Sequence, residues 1–395
     1  MTNNLVQLAD RHLRHLCVEV TARDLGSDGN RAATSYVEAR FREHGLAVER
    51  QEFPCIAWDP LEETLLVRGE PFSLHASPYS WPCDGTGPLR VIRSREQLAS
   101  NLCGAVLLLQ GALVAQQLVP KDYPFYSNEE HSRLVEMLER SGALVVLAAT
   151  GKNPMATAAL SPFPLVEDGA FALPSAYMTE AEGARLAAHD GEMARIRMRV
   201  RREPSNGFNV VAHVGAKPAR HVVCAHIDAK RGSPGAIDNA GGIVVLLLLA
   251  ELLRGFDGVE LVAFNGEDDY SAAGELAYLG NRPDLERLSF AINIDGIGFR
   301  EGETEFSTYG FTDAEERQLA RLLSRPGLRA GSPWFQSDHA VFVQRGVKAI
   351  ALTTSEFSWV WSNLAHTERD RVELVDPTHL VRAAEAIRDV LRSAH

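Results

Sequence analysis

The stretch HVVCAHIDAKRGSPGAIDNAGG, residues 221–242, constrains the fold of this chain more than any other segment. It begins with a short apolar and β-branched run, which predicts a buried strand. A loop rich in glycine and proline follows, and from Gly241 the apolar run GGIVVLLLLAELL predicts a helix. This order places His226 at the carboxyl end of a strand and Asp238 at the start of the next helix. Ligand sites of open α/β sheets form at such positions.

Three later segments repeat the arrangement of a strand that ends in polar residues. The predicted strands cover residues 259–264, 289–294 and 347–352. The first is followed by Glu267 and Asp268, the second by Asp295, and the third by a loop that carries His366. Four strand ends therefore present two histidines and several carboxylates. A pair of divalent metal ions is the simplest chemistry that uses such a set.

The bulk composition limits the class of protein. A chain of 395 residues exceeds one ordinary core and predicts two domains. Its 45% hydrophobic and 23% charged residues are typical of a globular protein. The net charge of -12 argues against a nucleic acid or an anionic membrane as a partner, because both need a basic face.

Several features favour a cytoplasmic location. The five cysteines are odd in number and none stand at CxxC spacing, so a disulfide framework is not expected. The N-terminus MTNNLVQLADRHLRHL lacks the apolar core of a signal peptide. The longest apolar run falls short of the ~20 residues that a membrane span requires.

The pattern of predicted elements changes between residues 59 and 202, where short strands and frequent turns replace long α/β elements. We therefore predict a discontinuous main domain, residues 1–58 and 203–395, and an inserted domain at residues 59–202. Residues 1–45 of the main domain read as two helices, and residues 46–53 read as a strand that Pro54 terminates.

Peptide hydrolysis at neutral pH suits this set of side chains. It requires a nucleophilic water, a polarised carbonyl and a proton for the leaving amine, and two divalent metals about 3.5–4 Å apart supply the first two. Asp238 is placed to bridge them, and the mixture of nitrogen and oxygen ligands suits zinc, although other divalent metals stay open. His226 and Asp295 would complete one metal site, and Asp268 and His366 the other.

Two carboxylates have no metal in this scheme. Glu267 is the natural general base, which takes a proton from water and passes it to the leaving nitrogen. Asp228, two residues after His226, would hydrogen-bond the imidazole and set its tautomer. Taken one at a time, these residues also have ordinary structural readings: a core histidine, a helix cap and acidic turns. Their occurrence at four successive strand ends favours the metal site.

The same residues make the sequence similar to the M28 family of zinc aminopeptidases. The motifs are His226-Ile227-Asp228, Gly235-Ala236-Ile237-Asp238-Asn239, Glu267-Asp268, Ile294-Asp295, Ser337-Asp338-His339 and Ala365-His366. The resemblance implies a mixed, mostly parallel sheet flanked by helices, two zinc ions, and release of N-terminal residues from peptides. The inserted segment resembles a smaller, β-rich protease-associated (PA) domain, which implies a lid or gating role.

Two positions depart from the family pattern, and four aromatic residues suggest a pocket. Asp268 stands where a second Glu is usual, and Glu275 where a Ser is usual. The shorter Asp268 must approach its metal through a backbone shift or bind it more weakly. A predicted substrate pocket comprises Phe357, Trp359 and Trp361, in the loop before His366, and Tyr270. Packing of a strand end is the alternative for the first three.

The sequence predicts a cytoplasmic dizinc aminopeptidase that acts on peptides, without a nucleic-acid or membrane partner. Two alternatives keep the fold and change the chemistry: a dipeptidase or carboxypeptidase, and a glutaminyl cyclase with one zinc. A third is a binding protein without catalysis, against which the retention of Glu267 argues. The sequence does not determine the oligomeric state.

Overall fold

A computed structural model describes residues 2–20, 22–99, 101–121, 123–153, 159–282 and 284–394. The strands in these ranges are β1 (Ala47–Val67), β2 (Glu70–Phe72), β3 (His75–Ala76), β4 (Cys83–Ile92), β5 (Val106–Leu109), β6 (Val145–Thr150), β7 (Ser175–Thr179), β8 (Met193–Val214), β9 (His221–His226), β10 (Val259–Phe264), β11 (Phe290–Ile294), β12 (Thr304–Tyr309), β13 (Leu328–Ala330) and β14 (Ala349–Thr354). The four strands predicted around the site are confirmed as β9, β10, β11 and β14.

The helices in the same ranges are α1 (Thr2–Arg14), α2 (Asp28–Glu43), α3 (Glu129–Arg140), α4 (Glu180–Ala187), α5 (Gly241–Leu252), α6 (Ala273–Gly280), α7 (Asp313–Leu323), α8 (His339–Val343), α9 (Phe357–Asn363) and α10 (Pro377–Ser393). Side-chain caps begin several of them. Ser27 accepts a hydrogen bond from Asn30 N at the start of α2, and Asp376 accepts one from Thr378 N at the start of α10.

The chain forms two compact units. One contains Met1–Cys55 and Asn206–His395, and the other contains Ile56–Ser205. In the first unit the strand order is β13-β12-β14-β11-β9-β10, and residues Val210–Val214 of β8 pair with β10. Strand β9 runs parallel to both β10 and β11, and β11 runs parallel to β14. Strand β12 is parallel to β13 but antiparallel to β14, and β8 is antiparallel to β10, so the sheet is mixed and mostly parallel.

The second unit has its own sheet and its own core. Residues Met193–Met198 of β8 pair with β4, and the order continues β4-β5-β6-β7-β3. Strands β4, β5, β6 and β7 are mutually parallel, and β3 is antiparallel to β7. Apolar side chains of these strands fill two buried clusters. The assignment of this unit as a PA domain stays a prediction.

Helix α5 forms the centre of the first unit. Residues Ile243 to Ala250 are all buried, because α5 contacts α1, α2 and α10 on its outer sides and strands β9 and β10 on the sheet side. A helix that is apolar on every face is stable only when it is covered in this way. Each fully buried Leu, Ile or Val contributes roughly 1.5–3 kcal/mol, so α5 anchors the loop that precedes it.

One boundary differs from the sequence prediction. Pro54 does not end the strand that begins near residue 46, because β1 continues through it to Val67. Buried and exposed residues alternate here: Phe53 is buried and Pro54 is exposed. A proline is tolerated in a strand where its nitrogen is not needed for pairing.

Among the helices that the structure describes, none combines the length and the apolar character that crossing a membrane would require.

Candidate metal centre

Neighbouring parallel strands bring the predicted ligands to one edge of the sheet. His226 is the last residue of β9, and Asp295 follows β11 directly. Glu267 and Asp268 lie just beyond the end of β10. Because β10, β9 and β11 are adjacent and parallel, their carboxyl ends meet at the same edge. The last ligand, His366, comes from the segment after α9, which itself follows β14.

The first ligand cluster consists of His226, Asp238 and Asp295. His226 Nε2 lies 3.2 Å from Asp238 Oδ1 and 3.4 Å from Asp295 Oδ1. All three side chains are at most 5% exposed. Ligands that share one zinc ion at bond lengths of about 2.0–2.2 Å stand ~3–4 Å apart, so this cluster has the dimensions of a zinc site.

The second cluster consists of Asp238, Asp268 and His366. His366 Nε2 lies 3.1 Å from Asp238 Oδ2 and 3.1 Å from Asp268 Oδ1. Asp238 thus directs one oxygen to each cluster. His366 has a φ of 64°, in the left-handed region that non-glycine residues rarely adopt. Strain of this kind is common at functional sites, where the surrounding structure enforces it.

The polar atoms of the first cluster fit a cation. Within the part of the chain that the structure describes, His226 Nε2 and Asp295 Oδ1 are buried without a hydrogen-bond partner. An imidazole nitrogen and carboxylate oxygens at this separation repel one another unless a proton or a metal ion lies between them. Imidazole and carboxylate ligands together suit zinc.

The charges of the site shift the pKa values of its histidines. Burial lowers the pKa of His226, but the surrounding carboxylates, Glu267 first, raise it well above its ordinary value. Burial likewise opposes the protonation of His366, and the charges of Asp268 and Asp238 raise its pKa to about 10. A metal ion must therefore displace protons from both histidines when it binds.

Glu267 belongs to neither cluster. Its Oε2 lies 3.8 Å from His226 Nε2, and its side chain is 19% exposed. Burial and the nearby charges of Asp295 and Asp268 raise the pKa of Glu267 well above its ordinary value, although His226 opposes this. A carboxyl group next to the ligands, with a raised pKa and partial exposure, is suited to accept and release a proton.

Asp228 contacts both ligand-bearing segments. His226 Nδ1 lies 3.7 Å from Asp228 Oδ1 and 3.1 Å from the Asp228 carbonyl oxygen. Asp228 Oδ2 accepts a hydrogen bond of 3.0 Å from the backbone N–H of Asp268. A proton on His226 Nδ1 leaves Nε2 free to bind metal. The carbonyl oxygen of Asp228 therefore orients His226, whereas the Asp228 carboxylate, which was predicted to hydrogen-bond the imidazole, instead accepts a hydrogen bond from the backbone of the second cluster.

The shorter Asp268 reaches the second cluster through the placement of its backbone. Its N–H is held by Asp228, and its carbonyl oxygen accepts a hydrogen bond of 2.6 Å from Lys230 Nζ. The backbone N–H of Lys230 also donates to Asp268 Oδ2 at 3.1 Å. These contacts leave Oδ1 directed toward His366.

The turn that carries Asp238 is not an ordinary helix cap. Asp238 and Asn239 have non-helical backbone angles, and the peptide bond between them is cis. Asn239 Nδ2 donates to Ile294 O, next to Asp295, and Asn239 Oδ1 accepts from Gly242 N. A Cβ at Gly242 would lie 2.4 Å from Asn239 Oδ1, so this position requires glycine. The turn is thereby joined to the end of β11.

The aromatic residues predicted as a pocket lie on a helix, not in a loop. Phe357, Trp359 and Trp361 all belong to α9, so alternate positions point to different sides. The rings of Phe357 and Trp361 stack at 4.3 Å, and Trp334 lies 5.5 Å from Phe357. Trp359 stacks on Phe299 instead and is 48% exposed. The prediction that this segment is a loop was wrong.

Of the predicted pocket residues, Trp361 and Tyr270 lie close in space or in sequence to the site residues. A Cβ at Gly296, the residue after Asp295, would lie 2.3 Å from the Trp361 ring, so that ring packs on the backbone beside the first cluster. Tyr270 is half-buried in the turn three residues after Glu267.

Sequence reasoning did not identify three residues that hold the site together. They are Arg23, Asn239 and Asp370, all buried. Asn239 belongs to the motif that contains Asp238, and Asp370 stands four residues after His366, but neither spacing indicates a hydrogen-bond partner. Arg23 lies more than 200 residues from the loop that it contacts, so no local signal could have revealed it.

A second pair of acidic residues also lies in this region. Asp338 and Glu275 are 0% and 1% exposed, and among the described residues none of their four oxygens has a hydrogen-bond donor. Burial raises the pKa of Asp338 to about 8 and raises that of Glu275 well above its ordinary value. Both carboxyl groups are therefore protonated more readily than an exposed carboxyl group.

An α/β sheet with two histidine–carboxylate clusters and an adjacent glutamate at its carboxyl edge defines the class of metal-dependent hydrolases. Residues 209–391 match the model of Peptidase family M28. This part of the chain, which carries both ligand clusters, is similar to that peptidase family. Among curated protein sequences, none matches this chain significantly.

Solved structures show the same fold over nearly the whole chain. A zinc aminopeptidase from Bacillus subtilis matches with a TM-score of 0.77 at 19% identity, covering 98% of this chain and 95% of that one. An aminopeptidase from Aneurinibacillus sp. strain AM-1 matches with a TM-score of 0.75 at 22% identity, covering 98% and 93%. A glutaminyl cyclase from Porphyromonas gingivalis matches with a TM-score of 0.50 at 14% identity, covering 100% and 99%.

Proposed function

We propose that the protein is a dizinc aminopeptidase that removes N-terminal residues from peptides. The observation that carries this proposal is the pair of ligand clusters that share Asp238, with Glu267 beside them. The match of residues 209–391 to the model of Peptidase family M28 and the fold of the two bacterial aminopeptidases support it.

The ligand set is suited to two zinc ions. His226, Asp238 and Asp295 would hold one, and Asp238, Asp268 and His366 the other. Bound zinc supplies polarisation of the scissile carbonyl and lowers the pKa of the attacking water. The protein contributes a fixed spacing of the ligands, because Asp238 offers one oxygen to each cluster on a side chain with a single methylene.

Glu267 is proposed as the general base. Its carboxylate takes a proton from the attacking water, and the resulting carboxylic acid donates that proton to the leaving amine. Its raised pKa lets it hold the proton between these steps. Asp228 does not meet the substrate in this scheme; it keeps His226 in the tautomer that binds metal.

The stacked rings of Phe357 and Trp361 are proposed to contact the side chain of the first residue of the peptide. The Trp361 ring packs beside Asp295, so this apolar face borders the first cluster. We therefore expect a preference for a large apolar or aromatic N-terminal residue. Trp359 faces Phe299 and is expected to contribute less, and Tyr270 is proposed to line the side next to Glu267.

The remaining expectations on biology are also proposals. We propose a cytoplasmic location, because the five cysteines do not predict a disulfide framework. We propose that the unit Ile56–Ser205 is a PA-like domain. Neither a nucleic acid nor a membrane is proposed as a partner, because of the net charge of -12.

A glutaminyl cyclase is the second candidate, because one enzyme of that kind has the same fold over the full chain. The two functions differ in product. An aminopeptidase shortens a peptide stepwise, whereas a cyclase removes ammonia from an N-terminal glutamine and leaves the peptide length unchanged.

The test is to incubate the zinc-loaded protein with a mixed peptide library and to follow the products by mass spectrometry. Stepwise loss from amino termini that a chelator abolishes is the expected result. Loss from carboxyl termini would replace the proposal with a carboxypeptidase, and loss of ammonia would replace it with a cyclase. No change in any peptide, with two zinc ions bound, would refute a broad aminopeptidase.

A further inference from the structure

Arg23 is a buried cation that donates hydrogen bonds to the loop between the ligands His226 and Asp238. Its side chain is 2% exposed and donates to the carbonyl oxygens of Ile227 at 2.8 Å, Pro234 at 2.7 Å and Gly235 at 2.9 Å. Ile227 follows His226 directly, and Gly235 precedes Asp238 by three residues. One guanidinium group therefore joins both ends of the loop that carries the HxD motif and the bridging aspartate.

Asp370, which lies in a different part of the chain, accepts hydrogen bonds from the same loop. Its side chain is fully buried, and its two oxygens accept hydrogen bonds from Ile237 N at 2.8 Å and from Asp238 N at 3.0 Å. The carbonyl oxygen of Asp370 accepts a third from Ala236 N at 3.2 Å. Because Asp370 lies four residues after His366, it also ties the segment of the second histidine to the bridging ligand.

These contacts act on the backbone of the one residue that both clusters share. Asp238 has a short side chain, so a displacement of its backbone moves both carboxylate oxygens. Those oxygens lie 3.2 Å from His226 Nε2 and 3.1 Å from His366 Nε2. A small shift at Asp238 would therefore disturb two metal sites together.

We propose that Arg23 and Asp370 are positioning residues that hold the bridging ligand Asp238 in the place where it serves both metal clusters. The inference rests on the proposed two-metal function. It adds a specific expectation: loss of the hydrogen bonds of either residue weakens the binding of both zinc ions, because Asp238 belongs to both clusters. A residue that merely stabilised the fold would change the melting temperature and leave zinc affinity at low temperature unchanged.

The variants follow from the hydrogen bonds. Asp370→Asn replaces one acceptor oxygen with an amide that cannot accept from a backbone N–H, so at least one of its two bonds is lost. Arg23→Lys keeps the charge and loses the planar fork of donors. Asp376→Asn is the matched control for the first, because Asp376 also accepts from a backbone N–H, at Thr378. Arg202→Lys is the control for the second, since Arg202 donates to the carbonyl oxygens of Tyr79 and Gly169.

The measurement is zinc affinity by competition with a chelating dye, well below the melting temperature, together with the visible absorption spectrum of the cobalt-substituted protein. We expect Asp370→Asn to lower the affinity for both zinc ions by about 10- to 100-fold, as outer-shell changes do, and to alter the cobalt spectrum. Arg23→Lys should act in the same direction and less strongly. Asp376→Asn and Arg202→Lys should keep the wild-type affinity and spectrum.

Each outcome decides one question. Wild-type affinity and spectrum in both Asp370→Asn and Arg23→Lys would overturn the positioning role. An equal loss in the control variants would overturn it too, because the effect would then be general. If Asp370→Asn does not fold, Arg23→Lys alone decides. Wild-type protein that binds fewer than two zinc ions would instead refute the proposed dizinc function.

Discussion

The two ligand clusters of this protein share one residue and differ in how they are built. His226 and Asp295 of the first cluster stand at the ends of two neighbouring parallel strands. Asp268 and His366 of the second lie in irregular segments, the former four residues beyond β10 and the latter three residues beyond α9. The side chain of His226 is 0% exposed, whereas that of His366 is 14% exposed.

This difference shows two ways to place a metal ligand. Strand ends hold the first cluster, and their spacing is set by the sheet itself. Hydrogen bonds to the backbone hold Asp268 of the second cluster, from Asp228 and Lys230. We therefore expect the first cluster to tolerate changes in surrounding residues better than the second. The predictions below test this contrast.

The largest effect is expected where the two clusters meet. Asp238→Asn leaves one oxygen and one amide group, so the side chain can no longer bridge two cations. We expect a loss of zinc affinity at both clusters larger than the ~10²-fold of outer-shell changes, and loss of peptidase activity. Metal analysis after dialysis and a peptidase assay measure both. Retention of two tightly bound ions would show that the clusters do not depend on a shared ligand.

Glu267→Gln should lower the catalytic rate without loss of bound metal. The carboxylate is not a member of either cluster, so both ions should stay bound, while loss of the base lowers kcat by about 10²- to 10⁴-fold. The assay is kcat at saturating substrate, with metal content measured on the same sample. Near wild-type kcat with two ions present would remove Glu267 as the base.

Asp268→Glu tests the second cluster by itself. The longer side chain matches the usual family residue, but Asp268 Oδ1 already lies 3.1 Å from His366 Nε2, so an extra methylene crowds the cluster. We expect the affinity for the ion of the second cluster to fall by roughly 10-fold, on the scale of outer-shell changes. The affinity for the ion of the first cluster should not change. Two-step zinc titration measures this. Tighter binding of the second ion would show that Asp268 is a poor ligand.

The smallest effect is expected at the buried pair Glu275 and Asp338. Burial raises the pKa of Asp338 to about 8, from an unfolded value of about 4, so the folded chain keeps a proton that the unfolded chain releases. The stability from this proton is fully present below pH ~4 and is lost as the pH rises toward 8. The free energy of unfolding changes with pH by at most about 1.4 kcal/mol per pH unit for one proton.

Glu275→Gln supplies a permanent N–H donor to Asp338, so the melting temperature of the chelator-treated protein should depend less on pH between 5 and 8. Glu301→Gln, at an exposed position, is the control and should keep the wild-type slope. Thermal melts across this range measure both. An unchanged slope in Glu275→Gln would mean that Glu275 does not control the protonation of Asp338.

The sequence by itself determined the elements around the site and the identities of the ligands. Residues 221–226 and 259–264 predict strands because apolar, β-branched runs of that length are typical of buried strands. His226, Asp238 and Asp295 could be identified because each follows or begins such an element. Local pattern was enough, since these features depend on neighbours within a few residues.

Only the tertiary structure decided which residues meet. The segment 357–363 was predicted as part of a loop, but it forms a helix, with Phe357 and Trp361 on one side and Trp359 on another. Arg23 and Asp370 contact the loop before Asp238 across separations of 204 and 132 residues. Such contacts depend on how distant segments pack together, which no short pattern in the chain encodes.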